Sequence, residues 1–214
     1  SPEAFEEVFW MTFDEYDVDT KHRFKNYVQF INQRYNKKRY LSKNNQNIKR
    51  LKLISKIFPN SKILIPFRNP IQHAHSLLSQ HQRFNEYSKK DNFISKYMKW
   101  IGHKEFGPNY SPFHEKDITF DDDLNINHWL EQWNLTYKDC YENFKNKENI
   151  YFICYEKLCS SSEYWLYVLQ ILNIKDRYDF QFKESYKVTS HEMDEDLIKK
   201  GLSLYRKLDQ SVKL

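Results

Sequence analysis

The segment Lys38–Leu78 decides the fold, and it reads KRYLSKNNQNIKRLKLISKIFPNSKILIPFRNPIQHAHSLL. Its pattern predicts a short strand at 39–42, a polar loop, a helix, a buried strand and a second helix. The apolar run Ile63–Ile65 is typical of a parallel strand covered on both faces. Asn69 suits a helix N-cap and Pro70 suits the first helical position. The segment therefore predicts a β-α-β-α unit.

Arg68 lies between the buried strand and the second helix, at the sheet edge where open α/β proteins bind ligands. A helix N-terminus offers N–H groups and a positive dipole end, and an arginine beside it can form two hydrogen bonds with a phosphate. Ser76 follows eight residues later and adds a hydroxyl if the chain folds back correctly. An arginine paired with a carboxylate, and a serine on a helix surface, would fit the pattern equally well.

These residues resemble the 3′-phosphate-binding segment of sulfotransferases that use 3′-phosphoadenosine-5′-phosphosulfate (PAPS). In that family a strand precedes Arg-Asp/Asn-Pro, and a helix follows with a serine eight residues after the arginine. Arg68-Asn69-Pro70 and Ser76 match this pattern. A family lysine that precedes a short polar loop is matched by Lys43.

Two more stretches extend the resemblance. The family's next helix opens with Asn or His and ends in Phe-Pro, which Asn47 and Phe58-Pro59 match. Downstream, Ile150–Leu158 resembles the family's apolar strand ending in Tyr-Glu-x-Leu. Together the matching stretches span roughly residues 38 to 175, and their order and spacing make the resemblance fairly specific.

The resemblance implies a single α/β domain over residues 1–214, with a three-layer, P-loop NTPase-like parallel sheet flanked by helices. It also implies PAPS as co-substrate and no metal. By resemblance, Arg68 and Ser76 bind the 3′-phosphate and Tyr155 helps to hold the nucleotide. Lys43 is then the catalytic residue, since fixed positive charge stabilises the charge on the transferring group.

One family signature is not found in this sequence. The strand and loop rich in Gly, Ser, Thr and Arg that cradle the 5′-phosphosulfate have no counterpart, and the only glycines are Gly102, Gly107 and Gly201. We expect a longer chain that extends upstream, with the missing strand supplied from there or by a partner chain. A degenerate relative without that strand is the alternative.

The predicted function is transfer of a sulfuryl group from PAPS to a hydroxyl or amine of a small-molecule, glycan or peptide acceptor. A non-catalytic nucleotide- or anion-binding module and a P-loop phosphotransferase are the alternatives. Transfer also needs a proton acceptor, for which His103, His114 and His128 are candidates and none is assigned. Asp121–Asp123 is interpreted as the acidic start of a helix, without a metal.

The composition limits the possible partners and compartments. The net charge of +5, from 34 basic and 29 acidic residues, favours an anionic ligand but does not indicate a nucleic-acid-binding protein. Cys140, Cys154 and Cys159 form neither a disulfide framework nor a metal-binding spacing. The sequence therefore predicts a cytoplasmic protein, and a membrane anchor in an upstream segment stays open.

Two further features of the segment Lys38–Leu78 and its helix affect the prediction. Pro66 cannot donate to a β ladder, so strand pairing is expected to end at Ile65. His73, His75 and His81 share the second helix without the spacing of a metal pair, and we predict structural roles for them.

Overall fold

The computed structural model describes residues 5–13, 17–175, 182–184, 186 and 191–212. Their helices are α1 (Glu6–Thr12), α2 (Val18–Arg34), α3 (Leu51–Ile57), α4 (Pro70–Lys90), α5 (Asn92–Trp100), α6 (Ile126–Phe144), α7 (Tyr155–Ser160), α8 (Ser162–Ile171) and α9 (Glu195–Gln210). The strands are β1 (Ile63–Phe67) and β2 (Ile150–Cys154), and short 3-10 helices cover Asn45–Arg50, Gly107–Asn109 and Glu115–Asp117.

The chain divides into two compact units. The first unit contains the described residues of 1–59 and 83–112, and the second contains those of 60–82 and 113–214. The single domain predicted over residues 1–214 stays a prediction.

An aromatic cluster forms the core of the first unit. Phe9 and Trp10 of α1 contact Phe24 of α2, with ring centroids 5.2 and 4.5 Å apart. The apolar residues of both helices recur at helical spacing, which places these rings on the faces that meet. Asp17 caps α2, and residues 14–16 before it lie outside the described residues.

The prediction of a strand at 39–42 is wrong. These residues form no strand, and side-chain hydrogen bonds from Tyr40 and Ser42 to Glu6 hold them in place of a β ladder. The helical turn that follows begins after Asn44, whose side chain accepts a hydrogen bond from a backbone N–H two residues later.

The second unit is built on a parallel pair of strands. Ile63 lies opposite Ile150, and the register continues to Phe67 opposite Cys154. Among the described residues these two strands are the whole sheet, and helices make up most of the structure. The arrangement is compatible with the predicted α/β class, and the three-layer, P-loop-like architecture stays a prediction.

Pro66 lies within β1, so the expectation that pairing ends at Ile65 is wrong. In a parallel pair, alternate N–H groups point to the neighbouring strand. The N–H of Ile63 donates to the Asn149 carbonyl at 2.9 Å, so the position of Pro66 faces away from β2. β1 has no second strand partner in the described part of the chain, and a proline is tolerated on such an edge.

Helix α9 packs closely on α6 and on the first residue of α4. The Asn134 side chain donates to the Leu197 carbonyl at 3.0 Å. A Cβ atom added at Gly201 would lie 3.1 Å from Cβ of Pro70, so only glycine fits without movement of its neighbours. This last helix begins after Asp194, whose side chain caps it by accepting a hydrogen bond from the N–H of Leu197 at 2.8 Å.

Candidate functional site

The carboxyl ends of β1 and β2 bring two of the predicted site residues together. Because the strands are parallel and Phe67 lies opposite Cys154, Arg68 and Tyr155 follow at the same edge. The guanidinium carbon of Arg68 is 4.9 Å from the centroid of the Tyr155 ring, which is a cation–π contact. The Tyr155 hydroxyl donates to the Lys183 carbonyl at 2.7 Å, so the phenol is held at its far end.

The backbone donors at the start of α4 are already engaged. Asn69 is the predicted N-cap, and its Oδ1 accepts hydrogen bonds from the N–H groups of Ile71 and Gln72 at 3.0 and 3.2 Å. The N–H of Asn69 donates to Oε1 of Glu156 at 2.8 Å, and Pro70 has no N–H. An anion at this edge must therefore be held by side chains, and the positive end of the helix dipole adds a weaker attraction.

Ser76 and His73 are neighbours on the second turn of α4, since residues three apart share a helix face. Both are partly buried. Burial, and to a smaller extent the charge of Arg68, lowers the pKa of His73 to about 4. His73 is therefore neutral at neutral pH, and its buried Nδ1 has no hydrogen-bond partner among the described residues.

Glu156 ties the Arg68 turn to α9. Its carboxylate accepts hydrogen bonds from the N–H of Asn69 at 2.8 Å and from the Tyr205 hydroxyl at 3.0 Å. The Cys154 thiol lies 3.5 Å from the same carboxylate. Burial raises the pKa of both the thiol and the phenol, so both stay protonated and able to donate. The last helix thereby helps to position Arg68.

Lys43 lies in the first unit, on a loop that a buried carboxylate holds. Glu6 is fully buried and accepts hydrogen bonds from the Tyr40 hydroxyl at 2.7 Å, the Ser42 hydroxyl at 2.6 Å and the Asn47 amide at 2.6 Å. These donors bracket Lys43 in the sequence, while Lys43 itself is exposed. The loop is therefore fixed by α1, and its lysine stays accessible.

Glu7, the next residue of α1, is a second anchor for the same loop. Arg50 donates to both of its carboxylate oxygens at 2.7 Å, and the Asn44 side chain donates at 2.9 Å. The Arg50 guanidinium also lies 5.2 Å from the centroid of the Trp10 ring. A bidentate pair of this kind is geometrically specific, so it fixes the orientation of α1 against the loop.

His103 is the histidine that the structure brings to Lys43. The charge of Lys43 is close enough to lower the pKa of His103, but burial is the largest cause of the lowering. The Glu105 carboxylate, 3.6 Å from Nε2, opposes part of this shift. Phe84 stacks on the imidazole with centroids 5.4 Å apart, and the buried Nδ1 has no hydrogen-bond partner among the described residues. The ring is therefore neutral and held in place.

The other two candidate proton acceptors lie in the second unit. His128 is buried, and its Nδ1 is 2.7 Å from the Phe120 carbonyl oxygen. His114 is partly buried beside a short 3-10 helix.

Asp123, from the predicted acidic helix start, lies 3.5 Å from the buried His81. These contacts hold the loop before α6 in place.

Neither a metal site nor a membrane span is found within the described ranges. No group of three or more His, Cys, Asp or Glu residues there is arranged to hold a metal ion. None of the helices in this part of the chain is long and apolar enough to cross a membrane. A shallow cleft of about 650 Å³ runs along α2, and none of the predicted site residues line it.

Sequence reasoning missed the two carboxylates of α1 and the surroundings of His73 and His103. The partners of Glu6 and Glu7 lie 34 to 43 positions away in the chain, so no local pattern marks the pairing. One signal was available, because the polar residues 42–47 contain no carboxylate of their own.

Comparison with known proteins identifies one segment. Residues 10–105 match the sequence model of a family described as "Sulfotransferase family". The segment includes Lys43, Arg68 and Ser76, whereas Tyr155 lies beyond it. No curated protein and no solved structure matches the chain significantly. The match thus confirms the resemblance to the sulfotransferase family over residues 10–105.

Proposed function

We propose that this protein transfers a sulfuryl group from PAPS to a hydroxyl or amine of a small-molecule, glycan or peptide acceptor. The proposal rests on one observation: the Arg68 guanidinium lies over the Tyr155 ring, at the edge of the sheet where both parallel strands end. The family match over residues 10–105 supports the reaction class. A cytoplasmic location remains part of this proposal.

The residues at this edge suit a nucleotide with a 3′-phosphate. When bound, PAPS supplies the sulfuryl group and the leaving phosphate. Arg68 would form charge-assisted hydrogen bonds with the 3′-phosphate and Ser76 would add a hydroxyl, because the N–H groups at the start of α4 are engaged. Tyr155 would pack its ring against the adenine.

Lys43 and His103 are the residues that we assign to the transfer itself. The Lys43 ammonium would stabilise the charge that develops on the bridging oxygen and on the sulfuryl oxygens. A bond forms between the acceptor oxygen or nitrogen and sulfur, while the bond from sulfur to the phosphate oxygen breaks. The acceptor's proton passes to neutral His103, whose lowered pKa keeps a lone pair available.

The test measures binding of 3′-phosphoadenosine-5′-phosphate and AMP by calorimetry, and transfer of radioactive sulfate from PAPS to a mixture of phenols, amino sugars and tyrosine peptides. We expect tighter binding of the bisphosphate and a labelled product. Binding without any labelled product would support the non-catalytic module. Preference for ATP with Mg²⁺, and no preference for the 3′-phosphate, would support a phosphotransferase and overturn the proposal.

A further inference from the structure

Helix α5 carries three exposed aromatic rings on one face, here called the α5 aromatic stripe: Phe93, Tyr97 and Trp100. Their side chains are 59%, 44% and 62% exposed, and no residue of α5 is buried. The positions i, i+4 and i+7 align along a helix. The Phe93 ring lies 5.9 Å from Tyr97 and 6.3 Å from Trp100, measured between centroids, so the rings form one continuous ridge.

Lysines border the α5 aromatic stripe. Lys96 lies three residues after Phe93 and four before Trp100, so it sits beside both rings on the helix surface. Three other exposed lysines lie on α5 or at the end of α4: Lys89, Lys90 and Lys99. None of the four pairs with a carboxylate in the described part of the chain. Asp91 caps α5 through the N–H of Phe93 at 2.8 Å.

A contiguous exposed apolar ridge marks an interaction surface. Aromatic rings beside lysines suit a lipid–water boundary, where the rings enter the headgroup layer and the amines meet lipid phosphates. On α5 itself Lys96 and Lys99 are exposed, whereas the Asp91 carboxylate before the helix is engaged in its cap. The positive charge is complementary to an anionic surface.

We propose that α5 docks this protein onto an anionic lipid surface, with the α5 aromatic stripe inserted among the headgroups and the four lysines above it. This docking is independent of the proposed sulfuryl transfer. A membrane-associated acceptor would then be met at the surface where the enzyme rests.

The test uses the full chain with phosphatidylcholine vesicles that contain either no phosphatidylserine or about 30% of it. We expect sedimentation with the anionic vesicles only, together with a blue shift of tryptophan emission and quenching by brominated lipid. The shift and the quenching should disappear in Trp100→Phe. The double variant Phe93→Ala/Trp100→Ala should bind at least tenfold more weakly, and Phe30→Ala, which removes an exposed ring from α2, should bind as the natural protein does.

Two charge-reversal variants distinguish binding through α5 from a general attraction between the positively charged protein and anionic vesicles. Lys96→Glu/Lys99→Glu should lower binding at least tenfold, whereas Lys21→Glu/Lys25→Glu on α2, with the same net charge, should not. Equal losses for both pairs would overturn the proposal, as would ring-independent binding. The protein could also bind soluble dextran sulfate as tightly as it binds vesicles, through the same lysines. That result would assign this face to a polyanion and would overturn the lipid proposal. Circular dichroism confirms that each variant is folded.

Discussion

At the scale of single residues, Arg68 precedes the N-terminus of α4, where the backbone N–H groups already have acceptors. An anion there has to be bound by side chains. Arg68→Ala should weaken binding of 3′-phosphoadenosine-5′-phosphate by about 1.5–3 kcal/mol, the range for hydrogen bonds to charged groups. AMP binding should change little, since AMP lacks the 3′-phosphate. Calorimetry with both nucleotides checks this, with Arg206→Ala on the exposed surface of α9 as control. Equal losses for the two nucleotides would remove Arg68 from the phosphate site.

Lys43 is exposed on a fixed loop, so its removal should leave the fold intact. Lys43→Ala should lower the turnover number by about 100-fold or more with little change in nucleotide affinity, because its charge acts mainly on the transition state. Single-turnover transfer and calorimetry separate the two effects. Lys38→Ala, another exposed lysine, is the control. An unchanged turnover number would exclude Lys43 from the transfer step.

His103 should determine the acidic limb of the pH profile. A proton acceptor must be neutral, so kcat/KM falls as pH drops through its pKa, which burial places below the ordinary value of 6.5. His103→Gln should remove that limb and reduce transfer by about 100-fold or more. His22→Gln, on the exposed face of α2, serves as control. A purely structural His103 would instead leave the limb in place and lower only the thermal stability.

At the scale of elements, the buried carboxylate of Glu6 is one of two anchors that tie the Lys43 loop to α1, and Glu7 is the other. Glu6→Ala would leave three part-buried donors without this acceptor, and an unsatisfied group costs about 1–3 kcal/mol when water cannot reach it. We therefore expect the free energy of unfolding to fall by at least about 3 kcal/mol, and less in Glu6→Gln, which keeps one acceptor oxygen. Urea denaturation measures this, with the exposed Glu86→Ala as control. A loss below about 1 kcal/mol would show that the loop is held by other contacts.

The second unit shows the same dependence of a site on a distant element. Tyr205 of α9 donates to Glu156, which in turn accepts from the turn that contains Arg68. A close approach at Gly201 lets α9 lie against Pro70. Two residues far along the chain thus support the start of α4.

At the scale of the whole molecule, buried neutral histidines make stability depend on pH. The pKa of His73 is about 4 in the folded state, against an ordinary value of 6.5, so the unfolded chain binds more protons between these values. The free energy of unfolding should therefore fall as pH drops from 6.5 towards 4, by up to about 3 kcal/mol for His73. Denaturation curves measured across this pH range give the free energy of unfolding at each pH. Its dependence on pH should become flatter in His73→Asn and should not change in His22→Asn. An identical slope in both variants would contradict the prediction.

Local pattern was sufficient to predict most of the helices and their caps. Apolar side chains at a spacing of 3.6 residues mark α2, α6 and α9. Asn69 caps the helix predicted to follow it, and Asp194 caps α9. Periodicity and capping depend on residues within one or two turns of each other, so they can be read without the fold. The Arg68 and Tyr155 motifs could be predicted for the same reason, because each follows its own strand directly.

Tertiary structure decided which groups meet across long separations. The strand expected at 39–42 is replaced by bonds to Glu6, and Pro66 is accepted in β1 because its missing N–H faces away from β2. The influence of the Lys43 charge on the pKa of His103 likewise joins distant parts of the chain. Sequence by itself was sufficient for most of the helices, for strands β1 and β2 and for the family segment, since these rest on neighbours in the chain. The buried carboxylate, the neutral histidines and the engaged N-terminus of α4 depend on burial and on partners that only the folded chain brings into contact.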